Sequence, residues 1–253
     1  MTALVAISIC LGIGILIYVF ILGDASHFDA EGHPKQGDYL GMMYSGGVIV
    51  PLLMAIFMVV VTFSIERFIT ISKAKGKGRS DEFLRTIKSL LASNQHDEAI
   101  AACDKQQGSL ANVVRAGVER LQSVQNDSSL NSEDKIDAVK KELEEATSLE
   151  LPMLSKNLSI ITTCATIATL WGLIGTVLGM IRAFAALGGG GGTPDAAALS
   201  TGISEALINT ALGIGTSAIS IIMYNFFTSK IDELTYKIDE IGMSIQQNFA
   251  AHN

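Results

Sequence analysis

Residues 171–227 read WGLIGTVLGMIRAFAALGGGGGTPDAAALSTGISEALINTALGIGTSAISIIMYNFF, and the fold turns on how this stretch is understood. Two apolar spans face each other across a glycine-rich hairpin. Together they carry hydroxyls, small residues and a carboxylate where lipid-facing helices would carry leucine. Polar groups are costly in a bilayer and usually face a protein interior or a water path. The pattern therefore points to ion translocation rather than to simple anchoring.

The rest of the chain supports a membrane setting. Its 253 residues are 49% hydrophobic and only 17% charged, with a mean hydropathy of +0.39. Four stretches, 1–23, 39–65, 157–181 and 206–229, hold no charged side chain, and each exceeds the ~20 residues needed to cross a bilayer. Helices are the spanning structure expected, because a β-barrel would show short alternating segments. Lys73, Lys75, Lys77, Arg79 and Arg85 follow the second span, and Lys230 and Lys237 follow the fourth, whereas the two short connections hold only Lys35. By the positive-inside rule, both termini and the large connection lie in the cytoplasm.

The resulting division is an extra N-terminal transmembrane helix at 1–23, a periplasmic loop at 24–45 and a transmembrane helix at 46–72. A cytoplasmic helical region at 73–156 follows, then transmembrane helices at 157–185 and 202–229 around a periplasmic loop at 186–201, and a cytoplasmic C-terminal helix at 230–253. The fold class expected is an all-α membrane protein whose long transmembrane helices extend into a cytoplasmic helical region. Segment 1–23 is read as a retained helix rather than a signal peptide. It has no basic leading region and a long apolar run, and Cys10 follows Ile9 where a lipoprotein signal wants a small residue. Cys10, Cys103 and Cys164 are expected to be buried and unpaired.

The outer loop alternates His27, Asp29, Glu31 and His33, a spacing that would gather four ligands on one face of an extended segment. Gly32 and Pro34 break that geometry, so a solvated connection is expected and no metal site. In the cytoplasmic region, Ser80 reads as an N-cap ahead of Asp81 and Glu82. Helical spacing then appears at Phe83, Ile87, Leu90 and Leu91, at Ala99, Ile100 and Cys103, and from Leu110 to Leu121. Asn131 begins a charged helix with Ile136, Val139 and Leu143 on one side, and Pro152 predicts a kink or restart. Ile231, Leu234, Ile238, Ile241 and Ile245 form a heptad-like seam for a neighbouring helix or another subunit.

Within the spans, Thr162, Thr166, Thr169 and Thr176 share one helical face, as do Glu205, Asn209, Thr216 and Ser220. Thr210 and Ser217 form a second stripe. Gly172, Gly175, Gly179 and Gly213 suit close helix packing, and threonines in such helices often bond the carbonyl one turn back. The chain offers one membrane carboxylate, Glu205, with no cation assigned to it. A proton relay would then require a titrating partner, with Thr176, Thr210, Glu205, Thr169 and Asn209 lining the path.

GLIGTVLGM at 172–180, AFAALG at 183–188, GISEAL at 202–207 and MYN at 223–225 resemble the ExbB/TolQ branch of the MotA/TolQ/ExbB proton-channel superfamily, closest to ExbB. GSLANVVRAGVERL at 108–121 and Glu66-Arg67-Phe68 are similar to that branch too. The resemblance covers roughly residues 46–235. It implies a subunit of the bacterial inner membrane that assembles as a homo-oligomeric ring, a pentamer, around a dimer of single-span ExbD-like or TolR-like partners. The partner's membrane aspartate would carry the proton, and the work would pass to a TonB-like protein acting on outer-membrane receptors. Family pore threonines correspond to Thr176 and Thr210, and the family carboxylate to Glu205. Two departures stand out: Thr169 occupies a position where many relatives have proline, and the common three-span members lack the helix at 1–23.

No cofactor is expected and no nucleic-acid signature is present. An enzyme is poorly supported, since the Gly188–Gly192 run leads into Thr-Pro-Asp rather than a phosphate loop. The rival readings are a TolQ-like subunit for envelope maintenance, a non-conducting membrane scaffold and a motility stator of the MotA kind.

Overall fold

In the computed structural model the described residues are 2–30, 33–35, 37–125, 130–188 and 196–252. They form helices and turns with no strand, only an isolated bridge between Phe28 and Pro34. The helices are α1 (Thr2–Ile17), α2 (Tyr39–Ser45), α3 (Ile49–Ala74), α4 (Ser80–Ala92), α5 (His96–Gln106), α6 (Gly108–Gln125), α7 (Ser132–Ser155), α8 (Leu158–Gly188) and α9 (Ala196–His252). Among the described residues, four helical segments are long and apolar enough to cross a membrane: Ala3–Leu22, Ile49–Ala74, Ser132–Ala185 and Leu199–Gln247. The glycine run read as a hairpin lies, after Gly188, outside the described residues, as do Glu31 and Gly32 of the outer loop.

The chain divides into two compact units. The first comprises residues 1–65 and 157–225. Here α1 continues as a π-helical turn, Tyr18–Leu22, and its Gly14 lies against α3, where a Cβ would come 3.0 Å from the Pro51 carbonyl oxygen. Most other α1 side chains are exposed, including Leu4, Ile9 and Leu16, as expected for a helix that meets lipid on most sides. The charge-free stretch 39–65 is not one helix. It breaks at Gly46 and Gly47, the latter at φ +73°, so α2 is separate and Pro51 falls in the first turn of α3, where its missing N–H costs nothing.

The second unit comprises residues 66–156 and 226–253 and is a helical bundle. Its core is built from the faces that the periodicity marks. Ile87, Ala99, Leu110, Val113, Val114, Val118 and Val139 have no exposed surface. The seam from Ile231 to Ile245 is buried within the chain itself, so it packs intramolecularly rather than awaiting another subunit. Gly117 on α6 is held so close to Leu143 on α7 that a side chain there would collide with it. Ser80 is the first helical residue and not the cap: Arg79 occupies that position and makes no side-chain capping bond. Asn131 does cap α7, accepting from the Asp134 N–H at 2.8 Å.

Pro152 lies inside α7, in its last turn, and the expected restart follows shortly after it. The helix continues to Ser155 and ends there, with Asn157 at φ +65° before α8 restarts at Leu158. Arg67, only 2% exposed, donates from Nη1 to the Met153 and Leu154 carbonyls at 3.1 and 3.2 Å and pairs with neighbouring Glu66. Those carbonyls belong to the last turn of α7, where no intrahelical donor remains for them.

Candidate functional site: the α8–α9 helix pair

Small residues set how closely α8 and α9 approach. A Cβ at Gly213 would lie 2.6 Å from the Ala168 carbonyl oxygen and 2.9 Å from the Gly172 Cα. One at Gly179 would lie 2.8 Å from the Gly202 carbonyl oxygen. Gly175 abuts the Asn209 side chain, leaving no room for a β-carbon. Backbone therefore meets backbone along the pair, as in small-xxx-small packing.

This closeness brings the hydroxyls of two helices together. Thr210 Oγ1 donates to the Gly172 carbonyl at 3.3 Å and stands 3.5 Å from Thr176 Oγ1. Thr176 Oγ1 in turn donates to the Leu173 carbonyl at 2.6 Å. Both threonines are half-buried, as is Thr169, which back-bonds to Ala165 at 3.2 Å. Thr162 and Thr166, nearer the start of α8, are exposed. Each back-bonded hydroxyl keeps its oxygen lone pairs, so it can still accept a bond from water.

The stripe on α9 divides in two. Asn209, Thr216 and Ser220 are buried, and Asn209 Nδ2 donates to the Gly46 carbonyl at 2.9 Å, tying α9 to the turn between α2 and α3. Its Oδ1 is buried without a hydrogen-bond partner among the described residues. Glu205, Thr210 and Ser217 remain half-buried.

Glu205 is not without a cation. Arg182 Nη1 donates to its Oε2 at 2.7 Å; the carboxylate side chain is 15% exposed and the arginine 55%. Arg182 lies within the expected span 157–185, one turn beyond Leu178, but the sequence reading assigned Glu205 no cation. On a helical rise of about 1.5 Å per residue, the ion pair sits roughly 7–9 Å along the helices from the Thr176–Thr210 hydroxyls, towards the connection between α8 and α9. An ion pair and a hydroxyl pair are thus stacked along one helix–helix seam.

No group of three or more His, Cys, Asp or Glu suited to a metal occurs among the described residues. In the outer loop, His27 Nδ1 instead bonds Asp38 Oδ2 at 2.7 Å, which holds the Asp38 carboxyl below the usual carboxylate range. Asp38 also caps α2 through its bonds to the Leu40 and Gly41 N–H groups.

A multi-pass helical membrane protein with a tight, hydroxyl-bearing helix pair is what fold and seam define. The chain belongs to the MotA/TolQ/ExbB proton channel family, whose model matches residues 105–240, more than half of the sequence. Its relatives lie in the ExbB/TolQ branch. It is 38% identical over 88 residues to the biopolymer transport protein ExbB-like 3 of Synechocystis sp., covering 34% of this chain and 42% of that protein. It is 40% identical over 84 residues to the biopolymer transport protein ExbB of Helicobacter pylori, covering 33% and 57%. It is 29% identical over 125 residues to the Tol-Pal system protein TolQ of Pseudomonas aeruginosa, covering 48% and 52%. The chain thus spans about half the length of the curated relatives it matches.

Proposed function

We propose that this protein is an ExbB-like proton-channel subunit of the bacterial inner membrane. It would assemble as a homo-oligomer, a pentamer, around a dimer of ExbD-like single-span partners and convert proton motive force into work on a TonB-like protein. The observation that carries this reading is the contact between the Thr176 and Thr210 hydroxyls across α8 and α9. Hydroxyls pass a proton through ordered water without titrating near neutrality. The partner's carboxylate would supply the titration, and one charge crossing 100 mV releases ~2.3 kcal/mol. Residues 73–156 and 230–253 would lie in the cytoplasm, following the basic residues that flank the spans. Glu205 and Arg182 would then mark the periplasmic end of the path, with Asn209 one turn from Glu205 and Thr169 towards the other end of the seam.

Thr176→Val and Thr210→Val keep side-chain shape and remove the hydroxyl. Co-reconstituted with the single-span partner in liposomes, each is expected to assemble yet lose at least about tenfold in proton flux, equivalent to ~1.4 kcal/mol in the barrier. Undiminished flux in both variants rules out the lining role. Absence of flux in the wild type, with the partner bound, favours the non-conducting scaffold. A TolQ-like role in envelope maintenance is the second reading. It is favoured by the TolQ alignment, which extends over more of this chain than the ExbB alignments do. Recovery of a TolA-like rather than a TonB-like protein on purification would select it.

A further inference from the structure

A cavity of about 190 Å³ lies within the second unit, between the end of α3, the start of α4 and the stretch of α9 that follows Asn225. Its lining is partly apolar, with Phe68, Ile71, Phe226 and Leu234. It also includes the basic residues Lys75, Lys230 and Lys237. Glu233 is the one carboxylate in the lining, and it is already engaged, accepting from Lys230 at 3.0 Å and Lys237 at 3.3 Å. Lys237 also bonds Asp81 at 2.9 Å, while Lys75 is exposed and makes no ion pair among the described residues. Three cations against two carboxylates leave the site positive.

Ser80 also lines the cavity, and its buried hydroxyl has no hydrogen-bond partner among the described residues. Position adds a further constraint. Phe68 and Ile71 directly precede the basic run from Lys73, and Phe226 lies just before Lys230, so the cavity sits where two spans leave their apolar stretches. Phe68 and Phe226 are 58% and 43% exposed, giving the mouth an apolar rim. A site that sets exposed lysines beside exposed aromatic rings matches an amphiphile: a phosphate with acyl chains attached.

We propose that this cavity binds the headgroup phosphate of an anionic glycerophospholipid, held by Lys75 and Lys230, with its acyl chains passing over Phe68 and Phe226. The site rests on the membrane reading of the chain but not on proton conduction. The volume admits a phosphate and glycerol and excludes two acyl chains, which instead continue into the bilayer. A free phosphate would use the same lysines without needing the aromatic rim.

The full chain, delipidated in detergent, is titrated with phosphatidylglycerol and with phosphatidylcholine of equal acyl length, and bound lipid is read by native mass spectrometry. The wild type is expected to prefer phosphatidylglycerol by roughly tenfold or more, as near-surface lysines would give. The double variant Lys75→Gln/Lys230→Gln loses that preference, and Lys75→Arg/Lys230→Arg retains it, which separates charge from misfolding. Lys73→Gln/Lys77→Gln, outside the cavity, leaves it intact. The proposal is overturned if the cavity variant keeps its preference, if the control pair loses as much, or if the arginine variant fails while folded. Displacement of the lipid by millimolar inorganic phosphate, with the same dependence on Lys75 and Lys230, would assign the site to a soluble phosphate and overturn the lipid. Loss of proton flux in other variants leaves this measurement unaffected.

Discussion

Arg182 on α8 and Glu205 on α9 meet at 2.7 Å, so the carboxylate at the end of the α9 polar stripe is held by a cation on the opposite helix. Because Arg182 is more than half exposed, solvent screens the pair and its contribution to stability is small. Arg182→Met is expected to change unfolding in detergent by less than about 1 kcal/mol while reducing proton flux several-fold. A large loss of thermal stability, with flux per folded oligomer unchanged, would make the pair structural.

The Gly213 contact gives a packing prediction. Gly213→Ala places a methyl group against the Ala168 carbonyl and the Gly172 backbone, which have no flexible end to move aside. A loss of about 1–3 kcal/mol is expected. Gly215→Ala, two residues on, meets nothing within 4 Å and should be neutral or mildly stabilising. The comparison is read from the thermal midpoints of the two variants in one detergent.

Arg67→Met removes the donor that bonds the Met153 and Leu154 carbonyls. The Leu154 carbonyl is buried, and left without a donor it costs roughly 1–3 kcal/mol, so this variant should be among the least stable single changes in the second unit. Hydrogen exchange should rise first at the end of α7. Unchanged protection there would show that water replaces the guanidinium without loss.

The Asp81–Lys237–Glu233 cluster sets a pH dependence for attachment of α9 to α4. The Lys237 ammonium bonded to Asp81 holds that carboxyl below its ordinary value, and Lys230 and Lys237 do the same for Glu233. Asp81, supported by Glu233, raises the Lys237 ammonium. The carboxylates' contribution is therefore present above about pH 4 and lost as pH falls through their lowered values. That of Lys237 is present below about pH 10 and lost as pH rises through its raised value. Stability should plateau between these limits, and Lys237→Met should flatten both shoulders of a pH–melting curve.

Cys103 is expected to resist alkylation in the folded protein. Burial, with Asp104 adding to it, pushes its thiol up to about 12, so little thiolate exists at pH 8. Labelling by iodoacetamide should follow global unfolding; rapid labelling in the native state would show that α5 opens locally.

The spans were legible because hydropathy over some twenty residues depends on no partner. The helix His96–Gln106 was equally readable, bounded as it is by Gln95 and the strained Gln107 at φ +57°. What sequence could not supply was pairing across elements. Arg182 and Glu205 are 23 positions apart on different helices, and only the α8–α9 register places one against the other. Asn209 and Thr210 are adjacent in sequence, yet one is buried against the Gly46 carbonyl and the other meets Thr176. A helical wheel separates them by 100°, but which side carries protein depends on α3. Ser80 has the residue type of a cap, but the helix starts one residue earlier than a cap would require.

The glycine contacts between α8 and α9 have a mechanical consequence. Where two helices touch through side chains, rotamer changes let them breathe; where Gly172 meets Gly213 there is no side chain to yield. The two helices form a stiff strut whose arms bear load together. Spin labels placed on opposite arms should report one narrow distance distribution with or without an imposed membrane potential.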